Sequence, residues 1–375
     1  VKKTLCVLLF SFISLVSFGQ EATLTHIGCA NYITRDIPEL GYEFLPGMDA
    51  YGELTFDEES CISWWDDIGN EFNPYITPVQ DRLNAWAFKY QFEESGLSKM
   101  EFDQSFEPQE LLVNGMKLHY AEPNQKKIKK KIFILFHGVI GSSLQYKKLQ
   151  YFLARKGYRS FAVNYSGHGG AAQRDNKPVQ LMSLDDFLLD TDTVVNYLKA
   201  RFGEKVPLIA VGHSWGAFVT QAYASKHPDS FPGIVSLNGG APNFNAFVFR
   251  DYVNRLVLFP SAGIVEFNRS FFPVYFPDQQ SIDEYLQYIT PAPPLFAIGQ
   301  ALSGGIAFEK RFPGPVLFIS DVKDTTVPAK VTGYAEEFYG AQATKRMLRR
   351  TNHIGMYLKP QQTAFGILDW LDKLD

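Results

Sequence analysis

The sequence predicts an α/β protein with a mostly parallel central sheet and helices on both faces, and three observations carry the prediction. From about residue 108 onward, short apolar runs alternate with segments of helical periodicity. The runs, "KIFILFHG" at 131–138 among them, are apolar at successive positions, as befits strands covered on both faces. The one long pause in the rhythm, 243–310, is so rich in Phe and Tyr that it reads as an insertion with its own need for burial.

Taken in order, the first residues are "VKKTLCVLLFSFISLVSFGQ": two lysines, an apolar run from Leu5 to Val16, then small residues. This is the pattern of a secretory signal over residues 1–19, cut before Gln20, and the apolar run is short for a membrane span. The expected chain is therefore exported, periplasmic or secreted, with no stable membrane span. Loss of Lys2 and Lys3 would move the formal net charge from -4 to about -6, which argues against a nucleic-acid partner. The one basic cluster, "KKIKKK" at 126–131, reads as a solvated loop feeding the next strand. Cys29 and Cys61 would then be the remaining cysteines, and an oxidising compartment would let them pair as a disulfide; two free buried thiols are the alternative.

Residues 20–105 read as an N-terminal extension of short, Gly- and Pro-punctuated pieces followed by a helix. There Val79, Leu83, Trp86 and Tyr90 fall on one face, expected to pack against the main body. The core is expected over 106–242 and 311–375. It opens with a hairpin, "QELLVNGMKLHYAE", turning at Asn114-Gly115. Strand "KIFILFHG", a helix over 144–155, strand "RSFAVNY", a helix over 183–202, strand "PLIAVGHS", a helix over 216–226 and strand "GIVSLNG" follow. After the insertion come "GPVLFISDVKD", a helix near 328–339, "TKRMLRR" and a last helix, "QQTAFGILDWLDKL". The insertion, 243–310, is expected to form a cap over the carboxyl edge of the sheet, where chemistry collects in such folds.

That edge holds Gly212-His213-Ser214-Trp215-Gly216, where a strand gives way to a helix. Glycines relieve the crowding of a sharp turn and leave the hydroxyl projecting, with the first helix amides aimed at the same space. G-x-S-x-G alone is weak, arising by chance in about one chain of this length in eight; its strand-turn-helix setting is the stronger signal. A serine needs a base, and the base needs a partner to orient it. Of seven histidines, His353 follows the last predicted strand and is the best base. His137 and His168 precede glycines after early strands and can shape a pocket. His213 is expected to pack its side chain away from the nucleophile, and His26, His119 and His227 lie elsewhere. "SDVKDTTVP" offers Asp321 and Asp324 as the orienting carboxylate, with Asp324 further into the loop and better placed to reach.

The region from about 108 to 375 resembles the α/β-hydrolase superfamily. "HGVIGSS" is similar to its oxyanion loop, "NYSGHGG" to its glycine-rich turn, "GHSWG" to its nucleophile elbow, "SDVKDTTVP" to its acid loop and "NH" to its base loop. The resemblance implies an oxyanion hole formed by the amides of Val139 and Trp215, with His137, Gly138 and His213 shaping the pocket. Within the superfamily the sequence resembles capped serine esterases and lipases of the lysophospholipase and monoacylglycerol-lipase type. The epoxide-hydrolase branch attacks with an aspartate, whose place Ser214 takes here.

The expected function is hydrolysis of a carboxylic ester through an acyl-enzyme on Ser214, with His353 as base and Asp324 as its orienting acid. The aromatic cap points to a small-molecule ester with an apolar acyl or aryl group; rings that merely pack the cap's own core are the competing reading. No metal-binding cluster or phosphate-cradling loop is legible, so no cofactor is expected. The same residues could serve another acyl transfer, C-C cleavage or peptide hydrolysis, and a non-catalytic binding module could keep the fold.

Overall fold

The computed structural model describes residues 79–123, 128–240, 279–289, 293–302, 311–321, 324, 327, 332, 338–348 and 352–374. The expected signal segment, Cys29 and Cys61, most of the aromatic insertion and most of the helix expected near 328–339 lie outside them. The chain divides between Arg82 and Leu83. Residues 83–105, which the sequence groups with the extension, thus belong with the body.

Eight strands form one sheet in the order β1-β2-β4-β3-β5-β6-β7-β8. The hairpin β1 (Gln109–Val113) and β2 (Met116–Ala121) turns at Asn114 and Gly115, both at positive φ as such a two-residue turn demands. β2 meets β4 (Arg159–Val163) antiparallel, and every pairing beyond it is parallel. β3 (Ile132–Phe136), β5 (Leu208–His213), β6 (Gly233–Leu237), β7 (Val316–Asp321) and β8 (Ala343–Leu348) complete the sheet.

The continuous apolar runs follow from burial on both sides. In β3, Ile132, Ile134 and Phe136 enter one core and Phe133 and Leu135 the other, because successive side chains alternate faces. The first core is closed by α3 (Leu184–Phe202) and α4 (Trp215–Lys226). The second is closed by α1 (Val79–Glu94), α2 (Lys147–Arg155) and, further along, α8 (Pro360–Leu371). α3 begins with a reciprocal capping box between Ser183 and Asp186, which satisfies donors that its first turn would otherwise leave orphaned.

The buried face of α1 differs from the expected stripe. Ala85, Phe88 and Phe92 are buried, the last two against Phe365 of α8 at ring separations of 5.4 and 5.9 Å, whereas Tyr90 is 48% exposed. Two phenyl rings gain more from burial than a phenol, whose hydroxyl would need a partner there. The side chains of Val79, Leu83 and Trp86 lie outside the description.

Between β6 and β7 two helices are described, α5 (Gln279–Leu286) and α6 (Leu295–Leu302). On α5, Tyr285 is buried, accepts a hydrogen bond from Gln145 Nε2 at 2.7 Å and packs on Tyr357 of α7 (Gly355–Leu358). On α6, Ala297 and Ile298 are buried, and Gln300 Oε1 accepts from the Leu184 N–H at 3.1 Å. Among the described residues no helix is long and apolar enough to cross a membrane.

Candidate active site

Because β3, β5, β6 and β7 run parallel, their carboxyl ends open on one side, and each contributes to one cluster. β5 ends at His213 and α4 begins at Trp215, so Ser214 alone makes the turn. It does so at φ 51°, ψ -115°, a conformation that costs a residue with a side chain on the order of 1–3 kcal/mol. The surrounding backbone holds it there. The Ser214 N–H donates to the Leu237 carbonyl at 2.9 Å, and the Ser214 carbonyl accepts from Ala217 and Phe218 at 3.1 and 3.3 Å. A Cβ at Gly212 would lie 2.3 Å from the Gly216 carbonyl oxygen, and one at Gly216 would lie 2.2 Å from that of Phe136. The strand, turn and helix can approach this closely only with glycine at both positions.

Trp215 is the first residue of α4, so its N–H is one of those that a helix cannot satisfy internally. The loop after β3 passes so close that a Cβ at Gly138 would stand 3.3 Å from Ser214 Cβ and 3.0 Å from His213 Nδ1. The backbone carrying Val139 thus runs alongside the serine. His137 braces that loop: the Tyr165 N–H donates to its Nε2 at 3.3 Å, which leaves the proton on Nδ1 to be donated to the Gly138 carbonyl at 2.7 Å. Burial, reinforced by neighbouring His168, holds the His137 pKa well below the ordinary imidazole value. The glycine-rich turn after β4 is pinned in its own way. Asp190, fully buried, accepts from the Ser166 N–H at 2.7 Å and from Arg174 at 2.5 Å.

His353 lies in a 3-10 turn, Asn352–Ile354. Its Nδ1 is 2.9 Å from Asp324 Oδ2, with the carboxylate side chain wholly buried and the imidazole 13% exposed. The other carboxylate oxygen accepts from the Val327 N–H at 2.9 Å. Of the two candidate acids, Asp324 therefore meets the imidazole; Asp321 is the last residue of β7, and its carbonyl accepts from the Asp324 N–H at 3.2 Å.

Two residues matter here in ways the sequence does not foretell. The His213 ring faces the base loop: its Nε2–H donates to the His353 carbonyl at 2.6 Å, and the two rings lie 4.8 Å apart. Burial, and then the proximity of His353, push the His213 pKa down to about 3, so the ring stays neutral and keeps donating. The second is Asn238, just past β6, whose Nδ2 donates to Asp324 Oδ2 at 2.9 Å. An asparagine after a strand belongs to no periodic pattern, and only the fold brings it to the acid. His119 and His227 are engaged elsewhere, against Ser143 and on the ring of Tyr223.

Comparison with known proteins agrees with the fold. The family described as serine aminopeptidase, S33, matches residues 127–249. A monoacylglycerol lipase of Mycolicibacterium smegmatis is 27% identical over 131 residues, 35% of this chain and 45% of that protein. Epoxide hydrolase B of Mycobacterium tuberculosis is 27% identical over 129 residues, 34% of each chain. The matched region thus spans less than half the length of these curated relatives. Among solved structures, a thermophilic esterase from Thermogutta terrifontis superposes with a TM-score of 0.54 at 16% identity, covering 71% of this chain and 99% of that one.

Proposed function

On the premise that this chain has the α/β-hydrolase fold, we propose that it is a serine hydrolase that cleaves carboxylic esters through an acyl-enzyme. The observation that carries the reading is the 2.9 Å contact between His353 Nδ1 and Asp324 Oδ2, on a loop that His213 ties to the turn presenting Ser214. With Nδ1–H held by the carboxylate, Nε2 is left free of the proton and able to act as base.

Ser214 Oγ attacks the acyl carbon as its proton passes to His353. The amides of Val139 and Trp215 stabilise the tetrahedral oxyanion, and the C–O bond to the alcohol breaks as the imidazolium protonates the leaving oxygen. Water then attacks the acyl-enzyme with His353 again as base, releasing the carboxylic acid and restoring the serine. An apolar acyl or aryl group is the favoured substrate feature, on the aromatic content of the insertion and on the names of the relatives. Export belongs to the same reading, on the strength of Lys2-Lys3 and the apolar run behind them.

The test is hydrolysis of p-nitrophenyl esters from acetate to dodecanoate by wild type and Ser214→Ala. The reading predicts Ser214-dependent hydrolysis that falls by about 10⁴-fold or more in the variant. Absence of ester hydrolysis, or its persistence in the variant, contradicts it. Peptide hydrolysis is the second reading, favoured by the description of the matching family, and aminoacyl p-nitroanilides assayed in parallel separate the two.

A further inference from the structure

We propose that Asn238 is a positioning residue for the acid of this site, fixing the plane of the Asp324 carboxylate through its side-chain amide. The inference rests on the reading of Asp324 and His353 given above and extends it to a residue outside the triad. Asn238 is 1% exposed and sits one residue beyond β6 at φ 49°, in the left-handed region that asparagine, aspartate and glycine adopt far more readily than other residues. Its backbone N–H donates to the Ile319 carbonyl of β7 at 2.7 Å, which anchors it to the strand that leads into the acid loop. From that anchored turn, Nδ2 donates at 2.9 Å to Asp324 Oδ2, the oxygen that also receives His353 Nδ1.

The Val327 N–H holds the other oxygen, so the two carboxylate oxygens take protein donors from separate segments. A carboxylate held at one oxygen alone can pivot about its Cβ–Cγ bond; held at both, it presents Oδ2 to the imidazole in a single orientation. The residue before Asn238 serves the other end of the site, since the Leu237 carbonyl accepts the Ser214 N–H. Leu237-Asn238 therefore links the nucleophile turn to the acid across one peptide bond, and the strained backbone aims the amide.

The experiment compares Asn238→Gly and Asn238→Asp with wild type for kcat and KM on a p-nitrophenyl ester, with thermal melts alongside. Glycine keeps the left-handed backbone and removes the donor; aspartate keeps backbone preference and shape but puts an acceptor where the donor was. The expected result is a kcat loss of about 10- to 100-fold in both, larger in Asn238→Asp, with KM within about twofold. Wild-type kcat in Asn238→Gly would overturn the proposal, because the position would then need only its backbone. Wild-type kcat in Asn238→Asp overturns it equally, and that variant answers the question even if the glycine variant fails to fold. Failure of the underlying reading is seen separately, as wild-type hydrolysis that survives Ser214→Ala.

Discussion

Ser143 has in the structure the company that the proposed function assigns to Ser214. Ser143 Oγ lies 2.6 Å from His119 Nδ1, and the far nitrogen of that ring is 4.0 Å from Glu110 Oε2, so a serine, an imidazole and a carboxylate stand in line. The proposed site of Ser214 uses the same three residue types with the ring reversed: the Asp324 carboxylate takes Nδ1 of His353 and leaves Nε2. The settings diverge further. Ser143 is wholly buried in a 3-10 turn, its N–H donates to Asn164 Oδ1 at 2.7 Å, and Glu110 is half exposed and paired with Lys117. Ser214 retains 9% exposure on a strained elbow at the start of a helix, and the carboxylate that meets His353 is wholly buried. The comparison teaches that a short serine-histidine contact is separable from the setting proposed for a nucleophile. A projecting hydroxyl, a fixed tautomer and nearby amide donors are what the proposed function asks of the second site.

The largest expected effect is on that contrast itself. Ser214→Ala should remove at least about 10⁴-fold of kcat/KM, while Ser143→Ala should leave it within a few-fold and cost stability of about 1–3 kcal/mol through the orphaned imidazole, read by denaturant unfolding. A large kinetic loss in Ser143→Ala would dissolve the distinction. The two carboxylates come next. Asp324→Asn should lower kcat by roughly 10³- to 10⁴-fold by permitting the wrong imidazole tautomer, whereas Glu110→Gln should change kcat less than about twofold.

A smaller kinetic effect is expected at His213. Removing its Nε2–H by His213→Phe frees the base loop from the elbow, and kcat should fall about 10- to 100-fold with KM little changed. Equal losses in both parameters would point to substrate contact instead.

A separate effect is expected on stability against pH. Burial lowers the pKa of His168 to about 4 and that of His213 to about 3, so both are neutral when folded, whereas the unfolded chain protonates them near the ordinary value. The unfolded state then binds more protons between those values, and stability falls as pH drops below about 6.5. From pH 7 to pH 5 each ring should cost about 2 kcal/mol. Urea unfolding at the two pH values should show that loss, and His168→Asn should reduce it by about one ring's share; an unchanged difference would place the acid sensitivity elsewhere.

Much of this was legible in the sequence, and the exceptions have physical causes. The strands announce themselves because a sheet buried on both faces requires apolar residues at successive positions, as in 132–136. Asn114-Gly115 and Gly212 to Gly216 are legible because a tight turn or close backbone approach restricts the choice of residue. Tyr90 departs from the stripe expected on α1 because its ring is apolar enough to fit one while its hydroxyl favours water. Asn238 and the His213 clamp were not legible at all. Each acts through one side-chain hydrogen bond to a segment 86 or 140 residues away, and such a bond leaves no periodic trace.

Only one hydroxyl should be activated, and covalent labelling reads directly which one it is. Incubation with a fluorophosphonate followed by peptide mass spectrometry should find a single adduct, on Ser214, at a rate that collapses in His353→Ala. An adduct on Ser143 or another serine, or an unmodified Ser214 in protein that still hydrolyses esters, would contradict it.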